Sequence, residues 1–188
     1  FGGADTAGRK ALMFSMGRDA ILWAAVMAVA WGASAIARKW LWADNHTAQE
    51  AKAHKPTTPQ LGAAALASTL IVALIFIWLT IARTPVAEIA RGQVIATVAL
   101  GLFLGAMAGR TVTAVESIRW YLAAVVLVAL TAYLVGYLQA DMGWATSAFR
   151  ELATTPPHEL VRPLPVEYLA VGVPAALAGY WCGDKVEQ

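Results

Sequence analysis

The chain has 188 residues, of which 59% are hydrophobic and only 14% are charged. A soluble globular domain carries roughly 25% charged residues, so this composition argues against an ordinary soluble domain and indicates an integral membrane protein. The formal net charge of +2 and the lack of a basic run with interleaved aromatic residues argue against a nucleic-acid partner, and the single cysteine excludes an intramolecular disulfide.

Five apolar segments are long enough to cross a bilayer as helices, which requires about 17 to 25 residues. They occupy about residues 20–37, 61–82, 93–109, 120–140 and 166–183. The sequence therefore predicts an all-α integral membrane protein, a five-transmembrane-helix bundle that forms one domain over residues 20–188. Residues 1–19 are predicted to form an N-terminal tail, and the start at Phe1 rather than methionine predicts a further segment upstream.

Total charge does not orient the five spans, because seven Lys and Arg residues fall on each side of the predicted membrane. Four of them crowd around one short connection: Arg38, Lys39, Lys52 and Lys55. We therefore expect residues 43–60 and the C-terminus on the cytoplasmic side. The predicted location is a bacterial inner membrane or an organellar membrane.

The connection at residues 141–165 is the longest on the opposite side. Apolar residues recur in its first part with polar residues between them, at Met142, Ala145, Phe149 and Leu152. This spacing predicts a short amphipathic helix that lies on the membrane surface. Pro174 falls inside the fifth span and predicts a kink there, because proline cannot donate a backbone hydrogen bond.

Small residues at a spacing of four recur along the predicted spans, and such a face lets two helix backbones approach closely. The third span carries Gly101, Gly105 and Gly109, and other spans contribute Gly32, Gly136 and Gly179. We predict that these six glycines are helix-packing or interface residues. For each face, the sequence allows two interpretations: packing inside the bundle, or contact with a partner.

Three Glu-x-x-Arg sequences lie beside the predicted spans: Glu88 with Arg91, Glu116 with Arg119, and Glu159 with Arg162. Spacing of three on a helical turn predicts local ion pairs at the membrane surface. An alternative is an inverted repeat, because the first two sequences are separated by one span and so lie on opposite sides of the membrane.

No Asp, Glu, Lys, Arg or His lies deep in a predicted span, although such residues mark ion and proton pathways. The sequence also lacks metal-ligand spacings, activated nucleophiles and phosphate-binding loops. We therefore expect no catalytic residue, no metal site and no cofactor.

These features favour a small multi-pass membrane protein that acts as an accessory, structural or assembly subunit of a larger membrane complex, or as a homo-oligomer. Its expected partners are membrane lipids and other membrane subunits or a second copy. One alternative is a transporter or channel for a neutral or weakly polar solute. A third hypothesis is an interfacial enzyme acting on lipid, with His158, Glu159 and Arg162 in its site.

Overall fold

The computed structural model describes residues 6–41, 58–81, 91–140 and 159–186. Within these ranges the chain is all-helical and has no strand, as the sequence predicts. The helices are α1 (Thr6–Leu41), α2 (Pro59–Thr80), α3 (Arg91–Thr113), α4 (Arg119–Leu138), a short 3-10 helix (Glu159–Val161) and α5 (Pro165–Val186).

Four of the described helices are long and apolar enough to cross a membrane, namely α1 over Ala7–Ala37 and the full lengths of α2, α3 and α4. The fold is therefore compatible with an integral membrane protein. The fifth predicted span coincides with α5, which is not among the four and contains Glu167 near its start and Pro174 inside it. The number of crossings stays a prediction.

The helix α1 is longer than the predicted span at 20–37 and takes in most of the predicted tail. Met13 and Ala20 are fully buried, so the residues ahead of the apolar segment have their own packing surface. That surface explains why the helix extends ahead of the apolar segment. The amphipathic helix predicted around Met142–Leu152 lies outside the described residues.

Local sequence fixes several helix ends. Proline stands at the first position of α2 and α5, where its missing N–H needs no partner. At the start of α5 the Leu164 N–H donates to a carboxylate oxygen of Glu167 at 2.7 Å, which is half of a capping box. Beyond α3, Ala114 has a φ of 51° and begins the turn into α4.

Successive helices run in opposite directions. Thus α1, α3 and α5 begin at one end of the bundle, which we call the Lys10 end, and the opposite end is called the Asp184 end. The most extensive contact joins the parallel helices α3 and α5, followed by that between α2 and α3. Among the described elements, α1 contacts only α4 and α5. It therefore lies on the outside of a four-helix core.

Candidate functional site

The glycine face of α3 packs against α2. A Cβ atom built on Gly105 would lie 2.6 Å from the backbone oxygen of Thr69 and 3.2 Å from the Cβ atom of Ala73. At Gly101 it would lie 2.7 Å from Cγ1 of Ile77, and at Gly109 it would meet Thr69 again. Such distances are shorter than van der Waals contact. The face is thus occupied within the protomer.

The other predicted packing glycines divide into two groups. Gly179 lies directly on the backbone of Phe103 in α3, and Gly136 faces Val161 and Met13. A Cβ atom on Gly32 would meet nothing within 4 Å. Of the six predicted positions, only Gly32 on α1 therefore has open space beside it.

Ion pairs join α3 to α5 at both ends of the bundle. At the Lys10 end, Nε of Arg91 lies 2.8 Å from Oε1 of Glu167, whose side chain is largely buried. At the Asp184 end, Nη2 of Arg110 pairs with Oδ1 of Asp184. These partners are far apart in sequence, so local spacing could not reveal them. The two pairs fix the parallel register of the helices.

The buried charge of Arg110 is the least expected feature of the Asp184 end, because this residue follows directly after the predicted span at 93–109. Arg110 is 5% exposed, and its guanidinium carbon lies 5.5 Å from the ring centroid of Tyr180. A Cβ atom on Gly183 would lie 2.8 Å from the Cβ atom of Arg110, so this glycine makes room for the arginine. Asp184 and the Tyr180 ring together stabilise the buried cation.

The three predicted Glu-x-x-Arg pairs have different positions in the structure. Glu88 lies outside the described residues, while Arg91 pairs with Glu167. The backbone oxygen of Glu116 accepts a hydrogen bond from the Tyr180 hydroxyl, and Arg119 begins α4 with an exposed side chain. Arg162 follows the 3-10 helix at the Lys10 end and is partly buried.

Two tyrosine pairs close the ends of the α4–α5 pair. The rings of Tyr121 and Tyr180 lie 5.2 Å apart at the Asp184 end, and those of Tyr133 and Tyr168 lie 6.1 Å apart at the Lys10 end. Each hydroxyl donates to a backbone oxygen in the connection that precedes α4 or α5. The acceptors are Val115 for Tyr121, Glu116 for Tyr180, Pro163 for Tyr133 and Leu160 for Tyr168.

This arrangement reflects a repeated sequence in α4 and α5. Residues 121–136 and 168–183 share the pattern Tyr-Leu-Ala-x-x-Val-x-x-Ala-Leu-x-x-Tyr-x-x-Gly, with eight of 16 positions identical. Because the two helices are antiparallel, an approximate two-fold axis perpendicular to the bundle relates them. Tyr121 is equivalent to Tyr168, and Tyr133 to Tyr180. The two segments thus form an inverted repeat, different from the one considered at the Glu-x-x-Arg sequences.

An apolar groove of about 340 Å³ lies where this repeat faces α1. Its floor includes the equivalent pairs Leu122 with Leu169 and Val126 with Val173, so the groove lies on the approximate two-fold axis. On α1, the other wall is formed by Ala24, Met27, Ala28 and Trp31. Arg119 is the only charged residue among the described residues that line it.

Across the described ranges, no group of three or more His, Cys, Asp or Glu side chains is placed to hold a metal ion. His158 of the third hypothesis lies outside those ranges. No family model, no curated protein and no solved structure matches the chain.

Proposed function

We propose that this protein is a structural or assembly subunit of a membrane complex, and that it docks through the outward face of α1. The observation that carries this proposal is a partly exposed ion pair of α1. Nε of Arg18 lies 4.0 Å from Oδ1 of Asp19, and the two side chains are 67% and 48% exposed. Beside them, a Cβ atom on Gly17 would meet nothing within 4 Å.

The depth of this ion pair follows from the packing of α1 on α4. Nζ of Lys10 lies 5.9 Å from the ring centroid of Tyr137 near the end of α4, and both residue types are common at membrane–water interfaces. Arg18 is eight residues further along α1, a rise of about 12 Å. The midplane of a bilayer lies about 15 Å from the edge of its hydrocarbon core. Arg18 and Asp19 would therefore lie close to the midplane.

Charged side chains that face lipid near the midplane are unfavourable, each by about 2.5–3.5 kcal/mol on insertion scales. Such residues usually face a bundle interior or a polar partner. A second transmembrane helix with polar side chains at the same depth would satisfy both Arg18 and Asp19. The helix could belong to another subunit or to a second copy of this chain.

The low burial of α1 also supports docking through this surface. Only 6% of the apolar 18-residue stretch of α1 is buried, compared with 28% for the corresponding stretch of α2 and 44% for those of α3 and α4. Large apolar side chains on either side of the ion pair remain exposed, including Phe14, Ile21 and Leu22. The glycine faces of α3 and α5 are already used within the protomer, which leaves α1 as the helix with most surface for a partner.

The test is the size and composition of the protein purified in mild detergent. We expect wild type to migrate as an assembly, and Arg18→Leu/Asp19→Leu to migrate as a folded protomer without its partner. Leu134→Ala, on an exposed face of α4, is the matched control and should leave the assembly intact. A monomeric wild type, or an assembly unaffected by the double substitution, would contradict the proposal.

A transporter or channel for a small neutral solute is the second candidate, and the inverted repeat is the observation that favours it. Many transporters place their solute at the midplane between inverted repeats. The groove lies on the approximate two-fold axis between α4 and α5. Solute flux into vesicles that Ala123→Phe abolishes and Ala170→Phe preserves would favour transport over assembly, since only Ala123 of these equivalent residues lines the groove.

A further inference from the structure

The groove between α1, α4 and α5 combines an apolar interior with one cationic rim. Apart from Arg119 and Trp31, the lining side chains are hydrocarbon or thioether groups, so a ligand there gains mainly contacts with apolar surface. Arg119 lies at the rim, at the Asp184 end, and is exposed. The fitting ligand therefore has an apolar chain and an anionic end.

The length of the groove fits one leaflet of a bilayer. From Ile118 to Val126, both of which line it, α4 rises about 12 Å, compared with about 15 Å for half of the hydrocarbon core. Trp31 lines the groove on α1 and is 44% exposed. Trp and Arg side chains are suited to the headgroup region of a bilayer.

Short side chains create the space. Ala28 of α1 and Ala123 of α4 both line the groove, and neither extends beyond a methyl group. The repeat provides an internal comparison, because Ala170 is equivalent to Ala123 but is exposed away from the groove. Larger side chains at Ala28 or Ala123 would fill the groove, whereas the same change at Ala170 would leave it open.

From these observations we propose that the groove binds one acyl chain of an anionic phospholipid, with the phosphate at Arg119 and the chain directed towards Val173. The inference is independent of the docking function proposed for α1, because it concerns the inward side of that helix. Arg18 and Asp19 do not line the groove, so a lipid there can be lost while the assembly persists.

The experiment is native mass spectrometry of the delipidated full chain, titrated with dioleoyl phosphatidylglycerol or dioleoyl phosphatidylcholine. We expect one phosphatidylglycerol per protomer, bound about fivefold more tightly than phosphatidylcholine. Arg119→Gln should remove this preference, because it removes the charge and leaves the apolar groove unchanged.

Ala123→Phe should weaken phosphatidylglycerol binding by about tenfold or more, and Ala170→Phe should not. If Ala123→Phe fails to fold, Ala28→Phe tests the same space from the α1 wall, where the residue is exposed. Equal affinity of wild type for the two lipids would overturn the proposal. So would unchanged binding by a folded groove-filling variant, or an equal loss in Ala170→Phe.

Discussion

Replacing Gly105 with alanine tests the packing of α3 on α2 at the closest approach to the α2 backbone. The new methyl group would lie 2.6 Å from the backbone oxygen of Thr69 and 3.2 Å from the backbone nitrogen of Ala73. Both are backbone atoms in the middle of a helix, so the clash cannot be relieved by a side-chain rotation. The two helices must separate along this contact, which forfeits part of its dispersion energy.

The expected magnitude comes from two opposing contributions. Overpacking of this kind typically costs about 1–3 kcal/mol. Alanine in place of glycine favours the helix itself by about 1 kcal/mol. Gly32→Ala is the matched control, because its methyl group would meet no atom within 4 Å and only the second contribution applies. Gly105→Ala should therefore be less stable than Gly32→Ala by about 1–3 kcal/mol.

The free energy of unfolding of each variant, measured by denaturing-detergent titration from mild-detergent micelles, provides this difference. Comparison of the two variants cancels the intrinsic preference of alanine for a helix. If they agree to within about 0.5 kcal/mol, the close approach of α2 to Gly105 is not a constraint on stability and the reasoning fails.

Three further predictions concern the ends of the bundle. Asp184→Ala should destabilise the fold by about 1.5–3 kcal/mol because it leaves the Arg110 charge buried, and adding Arg110→Met should restore part of that loss in an unfolding titration. Tyr121→Phe and Tyr168→Phe each remove an equivalent hydrogen bond to a backbone oxygen. Each should therefore lower the free energy of unfolding by a similar amount, about 0.5–1.5 kcal/mol. A large difference between the two variants would argue against the repeat. Cys182 is exposed and should react with a membrane-impermeant thiol reagent only after cell lysis if the C-terminus is cytoplasmic. Labelling in intact cells would contradict the predicted orientation.

The helices were predictable because apolar length alone indicates a membrane-type helix, and four of the five predicted segments meet that criterion in the structure. The contacts between helices were less predictable from the sequence. A spacing of four predicts that Gly105 allows close approach, but an internal neighbour and an external partner require the same spacing. The structure distinguishes them by placing Thr69 against this glycine.

The Arg110–Asp184 pair could not be predicted from local pattern, because its two residues are separated by most of α4, α5 and their connection. The repeat was different, since its signal was present in the sequence. Tyr121 and Tyr133 have the same separation as Tyr168 and Tyr180, with identical Leu, Ala, Val and Gly positions around them. Comparison of whole segments would have found it, whereas comparison of short charged motifs did not.

The position of α1 explains why hydropathy alone did not predict charged residues within its membrane-facing part. The apolar segment at 20–37 begins directly after Asp19, so hydropathy alone places Arg18 and Asp19 outside the membrane. The packing of α1 against the bundle gives a different alignment with the membrane. Met13 contacts Gly136 near the Lys10 end, and Trp31 lines the groove with Ile118 near the Asp184 end. The part of α1 beside the bundle therefore starts well before residue 20. In our proposal, a partner compensates for that shift by covering two charges that lipid cannot solvate.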